Sequence, residues 1–441
     1  MGLRLWKERG GWGAVTGVAL TAVPAAAGAE SPAPGVVNAA DTAWILISSA
    51  LVFAMTLPGL ALFYGGLVRS KNVLGTIMQS FVILCLVSVL WILLGYSLAF
   101  GPDKKGVIGG LDWVGLQGVG LIPHPIYAPT VPHQAFMIFQ MMFAAITPAL
   151  ITGAFAERMR FSALLLFAGL WSLVVYAPIA HWLWGGGWLS GLGALDFAGG
   201  AVVHISSGVS ALVCALVLGA RRGYGTEYMA PHNLPMTMLG TGLLWFGWFG
   251  FNAGSALGAN DTAVAAFLAT HTAASVGALT WTVIEWLHRG VPTVLGIASG
   301  AIAGLATVTP GAGYVGPFSA VCIGLLAGGF SYVAISWKGR LGYDDSLDVV
   351  GIHGVGGMLG ILATGFFASR AVNESGADGL LFGNAAFLGI QLLAAVTVAA
   401  FSAALTYGLL KLVDRAVGLR VSGEEERMGL DLSQHDERAY S

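Results

Sequence analysis

The sequence predicts an all-α integral membrane protein with an internal repeat, and three features support that fold class. Apolar residues make up 56% of the 441-residue chain and charged residues only 10%, whereas a soluble domain carries about 25% charged residues. The 65 glycines suit a helical bundle in lipid, because small side chains let helix backbones approach closely. The third feature is a pattern of aspartate and histidine that occurs twice within the apolar segments.

The chain divides into a leader, a membrane domain and a tail. Residues 1–29 are interpreted as a signal peptide, since a basic start and an apolar stretch precede a small-x-small cleavage site at residues 27–29. An uncleaved extra span is the alternative. Residues 41–414 are expected to form the transmembrane domain, and the polar residues 415–441 a cytoplasmic tail.

Eleven stretches are long and apolar enough to be predicted as spanning helices, which need about 20 residues each. They cover residues 41–68, 75–100, 133–156, 161–182, 197–219, 232–252, 261–287, 293–308, 312–337, 347–369 and 383–413. Lysine and arginine are concentrated in alternate connections, which predicts that the N-terminus lies outside and the C-terminus inside. The predicted cytoplasmic connections carry Arg69, Lys71, Arg158, Arg160, Arg221, Arg222, Arg289, Lys338 and Arg340, against Lys104, Lys105 and Arg370 outside.

The repeated pattern is DFAGGAVVHISSG at residues 196–208 and DSLDVVGIHGVGG at residues 345–357. Each histidine follows its aspartate by eight residues, or about 12 Å along a helix. With the fifth span entering from outside and the tenth from inside, His204 and His353 would meet near the middle of a core about 30 Å thick. Spans one to five and six to ten are therefore predicted to form an inverted repeat, with the eleventh span outside it.

The paired histidines are the first candidate site. An ionisable side chain at lipid depth is costly and is more often functional than structural, and its repetition strengthens that interpretation for His204 and His353. With no further ligand expected at their depth, neither a metal nor a cofactor is predicted. Asp196 and Asp345 are expected mainly to cap helix N-termini, although a carboxylate near the outer mouth could also attract a cation.

Aromatic residues form the second candidate site. Phe139 and Phe143 are spaced i, i+4 and share a helix face, while Trp184 and the segment 245–255 lie near the predicted outer surface. They suit either an interfacial aromatic belt or a cation–π site for a small cation, and the pattern alone favours neither.

Five long motifs in these regions make the chain resemble the ammonium transporter, methylammonium permease and Rh family. They are FYGGLVR at 63–69, GAFAERMRFS at 153–162, WGGG at 184–187, DFAGG at 196–200 and GFNAGS at 250–255. By resemblance, Trp184, Ser255 and Phe143 correspond to the family's outer ammonium-recruitment site, with Phe139 beside them. Phe143 and Phe251 correspond to its phenylalanine gate, His204 and His353 to its twin histidines, and Asp196 to an acid supporting the outer site.

The resemblance also implies partners and a location. Bacterial members of the family form homotrimers in the lipid bilayer of the inner (cell) membrane, and their tails can meet a PII-type signalling protein. The tail motifs at 417–421 and 429–431 match, but Asp436 stands where the family usually has glycine. The sequence contains no basic patch of the kind that binds nucleic acid, so a nucleic-acid partner is not expected.

The function expected from these features is selective ammonium uptake. The cation would bind at the aromatic mouth, lose its proton, and cross as ammonia past the histidines, whereas potassium has no proton to lose. A sensor acting through a cytoplasmic partner and a passive gas channel are the alternatives. An enzyme is not expected, because no GxSxG or HExxH motif is present.

Overall fold

The structure, a computed structural model, describes residues 35–440. Helices dominate it, and the predicted signal peptide lies outside the described residues. The long helices, numbered in chain order, are α1 Ala39–Leu67, α2 Ser70–Phe100, α3 His133–Phe155, α4 Phe161–Gly191, α5 Gly200–Leu218, α6 Leu234–Ala253, α7 Asp261–Arg289, α8 Val294–Gly311, α9 Pro317–Leu341, α10 Val350–Phe367 and α11 Ala385–Val417. Two short helices follow in the tail, α12 Gly423–Met428 and α13 Leu430–His435.

Ten of these helices are long and apolar enough to cross a membrane. Within the described chain, α6 is the predicted span that does not belong to that set, although it forms a helix of 20 residues. Its glycines and tryptophans lower its mean hydropathy. The structure thus supports ten spans, while the eleventh, the inverted repeat and the orientation of the termini stay predictions.

Polar side chains start many of the helices. The Asn38 side chain accepts hydrogen bonds from the backbone at the start of α1, and Asn233, Asn260, Thr293 and Asn384 do the same for α6, α7, α8 and α11. Such caps satisfy backbone N–H groups that have no partner within the helix. At α1, α6 and α11 the capped starts differ from the predicted starts at residues 41, 232 and 383.

Two small hairpins shape the connection between α2 and α3. Strands β1 Asp103–Lys104 and β2 Ile108–Gly109 pair antiparallel, as do β3 Pro123–His124 and β4 Ala128–Pro132. Ser97 ties the first hairpin to α2, because its hydroxyl donates to the carbonyl oxygen of Gly110 at 2.7 Å. The connection is therefore an ordered cover over one end of the bundle.

The glycine that closes each copy of the repeated pattern packs against the other copy. A methyl group on Gly208 would overlap the backbone nitrogen of Gly354, and one on Gly357 would lie 2.8 Å from the backbone nitrogen of Ile205. Only hydrogen fits at such backbone contacts, which are typical of close helix packing in membranes. These two glycines let α5 and α10 approach closely enough to bring their histidines together.

The tail lies against the ends of the helices. Asp431 accepts hydrogen bonds from the backbone N–H groups of Gly75 at 2.8 Å and Leu74 at 3.1 Å. The Lys71 ammonium group donates to the carbonyl oxygen of Arg427 at 2.6 Å. The segment after α11 is therefore docked on the start of α2.

Asp436, the residue that departs from the family pattern, ends α13 in the left-handed conformation, with φ 54° and ψ 35°. Glycine favours that conformation, and aspartate tolerates it better than most residues. The backbone N–H of Asp436 still donates to the carbonyl oxygen of Leu432 at 3.1 Å. Aspartate therefore completes the turn at this position.

Candidate functional site

His204 and His353 are in direct contact. Their Nδ1 atoms lie 3.1 Å apart, and the ring centroids are 5.1 Å apart with an angle of 23° between the planes. His204 is fully buried and His353 is 5% exposed. Since one Nδ1 must donate and the other accept, a single proton is shared between these two atoms when both rings are neutral.

Local structure at the start of each helix places the two rings. Asp196 accepts hydrogen bonds from four successive backbone N–H groups, of Gly199, Gly200, Ala201 and Val202, at 2.6 to 3.0 Å. Asp345 similarly accepts from Val350 at 2.7 Å. A π-helical turn follows in both places, at Gly200–Ile205 and Val350–Gly354, and each contains the histidine. Both carboxylates therefore cap helices, as expected.

An aromatic row leads from the histidines to a cavity. Successive ring centroids are 6.1 Å apart for His204 and Phe251, 4.3 Å for Phe251 and Phe143, and 5.8 Å for Phe143 and Trp184. Phe143 and Phe251 are almost fully buried. The two phenylalanine rings thus separate the histidines from the space beside Trp184.

We call that space the Trp184 cavity, of about 670 Å³. It is lined by Phe143, Trp184 and Ser255, together with residues of α2, α3 and the hairpin connection. The Ser255 hydroxyl donates to the carbonyl oxygen of Phe251 at 2.9 Å, which leaves its oxygen lone pairs available to accept from a ligand. The Trp184 indole N–H donates to the carbonyl oxygen of Asp196 at 2.7 Å. Asp196 therefore anchors both Trp184 and the helix that carries His204.

A second cavity, which we call the His353 cavity, lies on the other side of the histidine pair. It has a volume of about 180 Å³ and is lined by His353, Tyr64, Ser346, Asp348 and residues around them. Phe143 lines the first cavity and His353 the second, whereas His204 lines neither. The histidine pair therefore lies between two cavities.

The structure brings most of the candidate residues into one continuous set, but it places Phe139 behind it. Phe139 is fully buried and packs its ring against Phe143 at 5.0 Å without lining the cavity. Ser255, Phe143 and Trp184 share one cavity.

Sequence reasoning missed two residues of the site. Trp248 stacks on His204 with the ring centroids 5.5 Å apart, and its indole N–H donates to Thr309 at 3.0 Å. The only signal for it was its position in the aromatic segment 245–255. Gln140, one turn before Phe143, lines the Trp184 cavity and gave no signal among its apolar neighbours.

No group of three or more histidine, cysteine, aspartate or glutamate side chains within residues 35–440 is arranged to hold a metal ion. The two histidines supply only two nitrogen ligands at their contact, fewer than the three or four that a zinc site uses. What the arrangement offers is a pair of hydrogen-bonding imidazoles between two cavities, with buried phenylalanine rings on one side.

Known proteins share this architecture and sequence. The model of the Ammonium Transporter Family matches residues 43–440. The chain is 53% identical to the ammonium transporter of Bacillus subtilis over 401 residues, covering 91% of this chain and 98% of that protein. It is 51% identical to the ammonium transporter Amt1 of Archaeoglobus fulgidus, with coverage of 91% and 99%.

Solved structures agree with those relatives. The crystal structure of Saccharomyces cerevisiae Mep2 superposes with a TM-score of 0.82 at 38% identity, covering 88% of each chain. A structure described as a sensor Amt protein superposes with a TM-score of 0.83 at 29% identity, covering 90% of this chain and 98% of that one. The buried histidine contact, the repeated helix starts and these matches over nearly the whole chain lead to one conclusion: this multi-pass membrane protein belongs to the ammonium transporter family.

Proposed function

We propose that the chain takes up ammonium selectively, by binding the cation in the Trp184 cavity, removing its proton and passing ammonia along the histidine pair. The observation that carries the proposal is the unbroken row from Trp184 through Phe143 and Phe251 to His204 and His353. It joins a wide cavity, suited to a cation, to a buried apolar passage suited to a neutral molecule.

The recruitment site would use the face of Trp184 and the hydroxyl oxygen of Ser255. An aromatic face attracts a desolvated cation, and Ser255 can accept a hydrogen bond from an ammonium N–H. The proposed role of Asp196 is indirect, since all four described hydrogen bonds of its carboxylate hold backbone N–H groups and its backbone carbonyl oxygen accepts from the Trp184 indole. It would fix the position of Trp184 rather than bind the ligand.

Deprotonation is the proposed selectivity step. Transfer of a bare ion into an apolar region costs tens of kcal/mol by the Born estimate, so the cation would be stopped at the contact of Phe143 and Phe251. Ammonium can lose a proton and continue as ammonia, whereas potassium cannot. The nitrogen atoms of His204 and His353 would then form hydrogen bonds with ammonia. These bonds would replace the hydrogen bonds to water that ammonia loses on entering the apolar region.

The same pair could carry the released proton. A proton taken up at Nε2 of one ring would move between the Nδ1 atoms and leave from Nε2 of the other ring. Nε2 of His204 has no partner among residues 35–440 and is therefore free for this exchange. Transport would then be electrogenic, because ammonia and its proton both cross.

The proposed setting follows from the same family. We expect a homotrimer in the bacterial inner membrane, with residues 1–29 removed as a signal peptide, residues 41–414 forming the transport domain, and the N-terminus outside. The tail at 415–441 would regulate transport and could meet a PII-type protein. A second candidate function is that of an ammonium sensor acting through a cytoplasmic partner. Two observations support it: the similarity to the sensor Amt protein and the docking of Asp431 on α2.

Currents from the purified protein in sealed liposomes on a solid-supported membrane would test the function. Ammonium pulses should give sustained currents and potassium pulses none. Internal alkalinisation on an ammonia gradient without current would instead indicate a passive gas channel. The absence of both signals would contradict transport and favour the sensor.

A further inference from the structure

The Trp184 cavity extends well beyond the residues assigned to recruitment. Its far wall comes from the hairpin connection, which contributes Asp103, Trp113, His124 and Tyr127. Among residues 35–440, Asp103 is the only one lining the cavity that has a carboxylate, and no lysine or arginine of that range lines it. His124 is neutral near pH 7, because burial lowers its pKa. Asp103 is therefore the acidic side chain that the described residues contribute to this wall.

A buried histidine holds the Asp103 carboxylate in place. Nδ1 of His181 lies 2.9 Å from the carbonyl oxygen of Ala99, and Nε2 lies 2.9 Å from Oδ1 of Asp103. A carbonyl oxygen only accepts, so Nδ1 carries a proton, and a proton must also lie between Nε2 and the carboxylate. The backbone N–H of Gly106 donates to the same Oδ1 at 2.7 Å.

The second oxygen of this carboxylate is available. Both hydrogen bonds that Asp103 accepts within residues 35–440 end on Oδ1, and the side chain is 45% exposed. His181, by contrast, is fully buried behind it. Oδ2 therefore belongs to a fixed, solvent-accessible carboxylate at the cavity wall.

Tyr127 links this wall to the recruitment residues. Its hydroxyl donates to the carbonyl oxygen of Gly185 at 3.1 Å, directly after Trp184 in the chain. Its ring is stacked on His124 with the centroids 4.6 Å apart and on Phe136 at 5.6 Å. Burial and the charge of Asp103 raise the pKa of Tyr127 to about 12, so its hydroxyl stays protonated and its oxygen can also accept a hydrogen bond.

We propose that Asp103 and Tyr127 form a second cation subsite in the Trp184 cavity, which binds an ammonium ion before it reaches Trp184 and Ser255. Oδ2 of Asp103 accepts one N–H of the ion, and the Tyr127 hydroxyl oxygen accepts another. His181 acts as a positioning residue. This inference rests on the proposed ammonium transport, and it adds a binding step that the twin histidines and the recruitment residues do not supply.

The expected effect on binding is moderate. With these two protons the Asp103–His181 pair has no net charge, so the ion is held mainly by hydrogen bonds, and water screens a half-exposed side chain. Such pairs change an equilibrium by about two- to fivefold. The subsite should therefore lower the ammonium concentration that gives half-maximal transport, and leave the maximal rate unchanged.

The test compares initial transport rates of Asp103→Asn and Asp112→Asn in liposomes over a range of ammonium concentrations. Rates come from currents, or from internal pH where uptake carries no charge. Asp112 is an exposed carboxylate of the same connection that does not line the cavity, so it controls for loss of surface charge. Asp103→Asn should raise the half-saturating concentration about two- to fivefold, whereas Asp112→Asn should not change it.

Tyr127→Phe is the second variant, since it keeps the stacked ring and removes only the hydroxyl. Tyr127→Phe should also raise the half-saturating ammonium concentration. It tests the subsite even if Asp103→Asn fails to fold. Equal values for Asp103→Asn and Asp112→Asn, or a fall in maximal rate alone, would overturn the subsite. An inactive wild-type protein would contradict transport itself, which is a different and separable result.

Discussion

His204 and His353 are separated by 149 residues in the chain, yet their Nδ1 atoms lie 3.1 Å apart. The contact depends on two helix starts of the same design, each with an aspartate that accepts backbone N–H groups before a π-helical turn. The two rings are oriented by backbone geometry at both ends, with few side-chain hydrogen bonds of their own. The pair should therefore tolerate little change in either helix.

Replacement of either histidine by alanine should abolish the shared proton position. We expect His204→Ala and His353→Ala to reduce the ammonium current about 100-fold, or to conduct potassium as well as ammonium. His288→Ala is a suitable control, because that ring bonds Tyr332 and lines neither cavity. Unchanged ammonium currents and selectivity in both variants would remove the pair from the mechanism.

Asp196 should be a major determinant of stability. Asp196→Ala leaves four buried backbone N–H groups without acceptors, at about 1–3 kcal/mol each. Asp196→Asn keeps one oxygen and should be intermediate. Melting temperatures in detergent should fall in the order wild type, Asn, Ala, while Asp261→Asn, an exposed carboxylate in the first turn of α7, should have little effect. Equal melting temperatures for Asp196→Ala and Asp261→Asn would contradict the capping role.

Neighbouring aspartates should respond to pH in opposite ways. Burial raises the pKa of Asp345 to about 6, with Lys338 opposing and Asp348 adding to the shift. At Asp344 burial acts in the same direction, but the hydrogen bonds and charge of Arg221 outweigh it and lower the pKa. The contribution of Asp345 to stability is therefore complete below its unfolded pKa of about 4 and is lost as the pH rises through 6. That of Asp344 is present above about pH 4 and is lost as the pH falls below it.

Melting curves between about pH 3.5 and pH 8 would check both signs. Asp345→Asn resembles the protonated acid, so it should raise the melting temperature relative to wild type near pH 8 and not near pH 4. Asp344→Asn should lower it near pH 8, because the buried Arg221 loses the carboxylate at 2.9 Å. The same response from both variants would show that the assigned environments are wrong.

The tail turn at Asp436 gives a prediction with the opposite sign to most substitutions. Asp436→Gly should stabilise the docked tail by up to about 1 kcal/mol, because glycine adopts positive φ without strain. Backbone hydrogen exchange of α13 should become slower in the variant. Asp436→Ala, which keeps a β-carbon and loses the polar side chain, should exchange faster than wild type. Faster exchange in the glycine variant would indicate that the aspartate side chain itself holds the turn.

Helix content and the two histidines were accessible from sequence, for different physical reasons. Hydropathy marked the spans because burial in lipid requires about 20 apolar residues. It missed helix starts by two residues where caps such as Asn38 and Asn384 decide the first residue. The repeated aspartate and histidine stood out because charge is rare at that depth. Phe139 illustrates the limit, since its spacing from Phe143 was right and only packing placed it behind the cavity wall.

The sequence by itself determined the all-helical membrane class and marked the two histidines, since both depend on local composition or spacing. The aromatic residues were assigned to a site only through the resemblance to a family. Tertiary structure alone decided that Trp248 stacks on His204, that Gln140 faces the cavity, and that Asp103 meets His181. These contacts join residues distant in the chain, and the helices meet where glycines such as Gly208 allow close approach. Local sequence patterns indicate which side chains are buried, whereas the partner of each side chain depends on how the whole helical bundle packs.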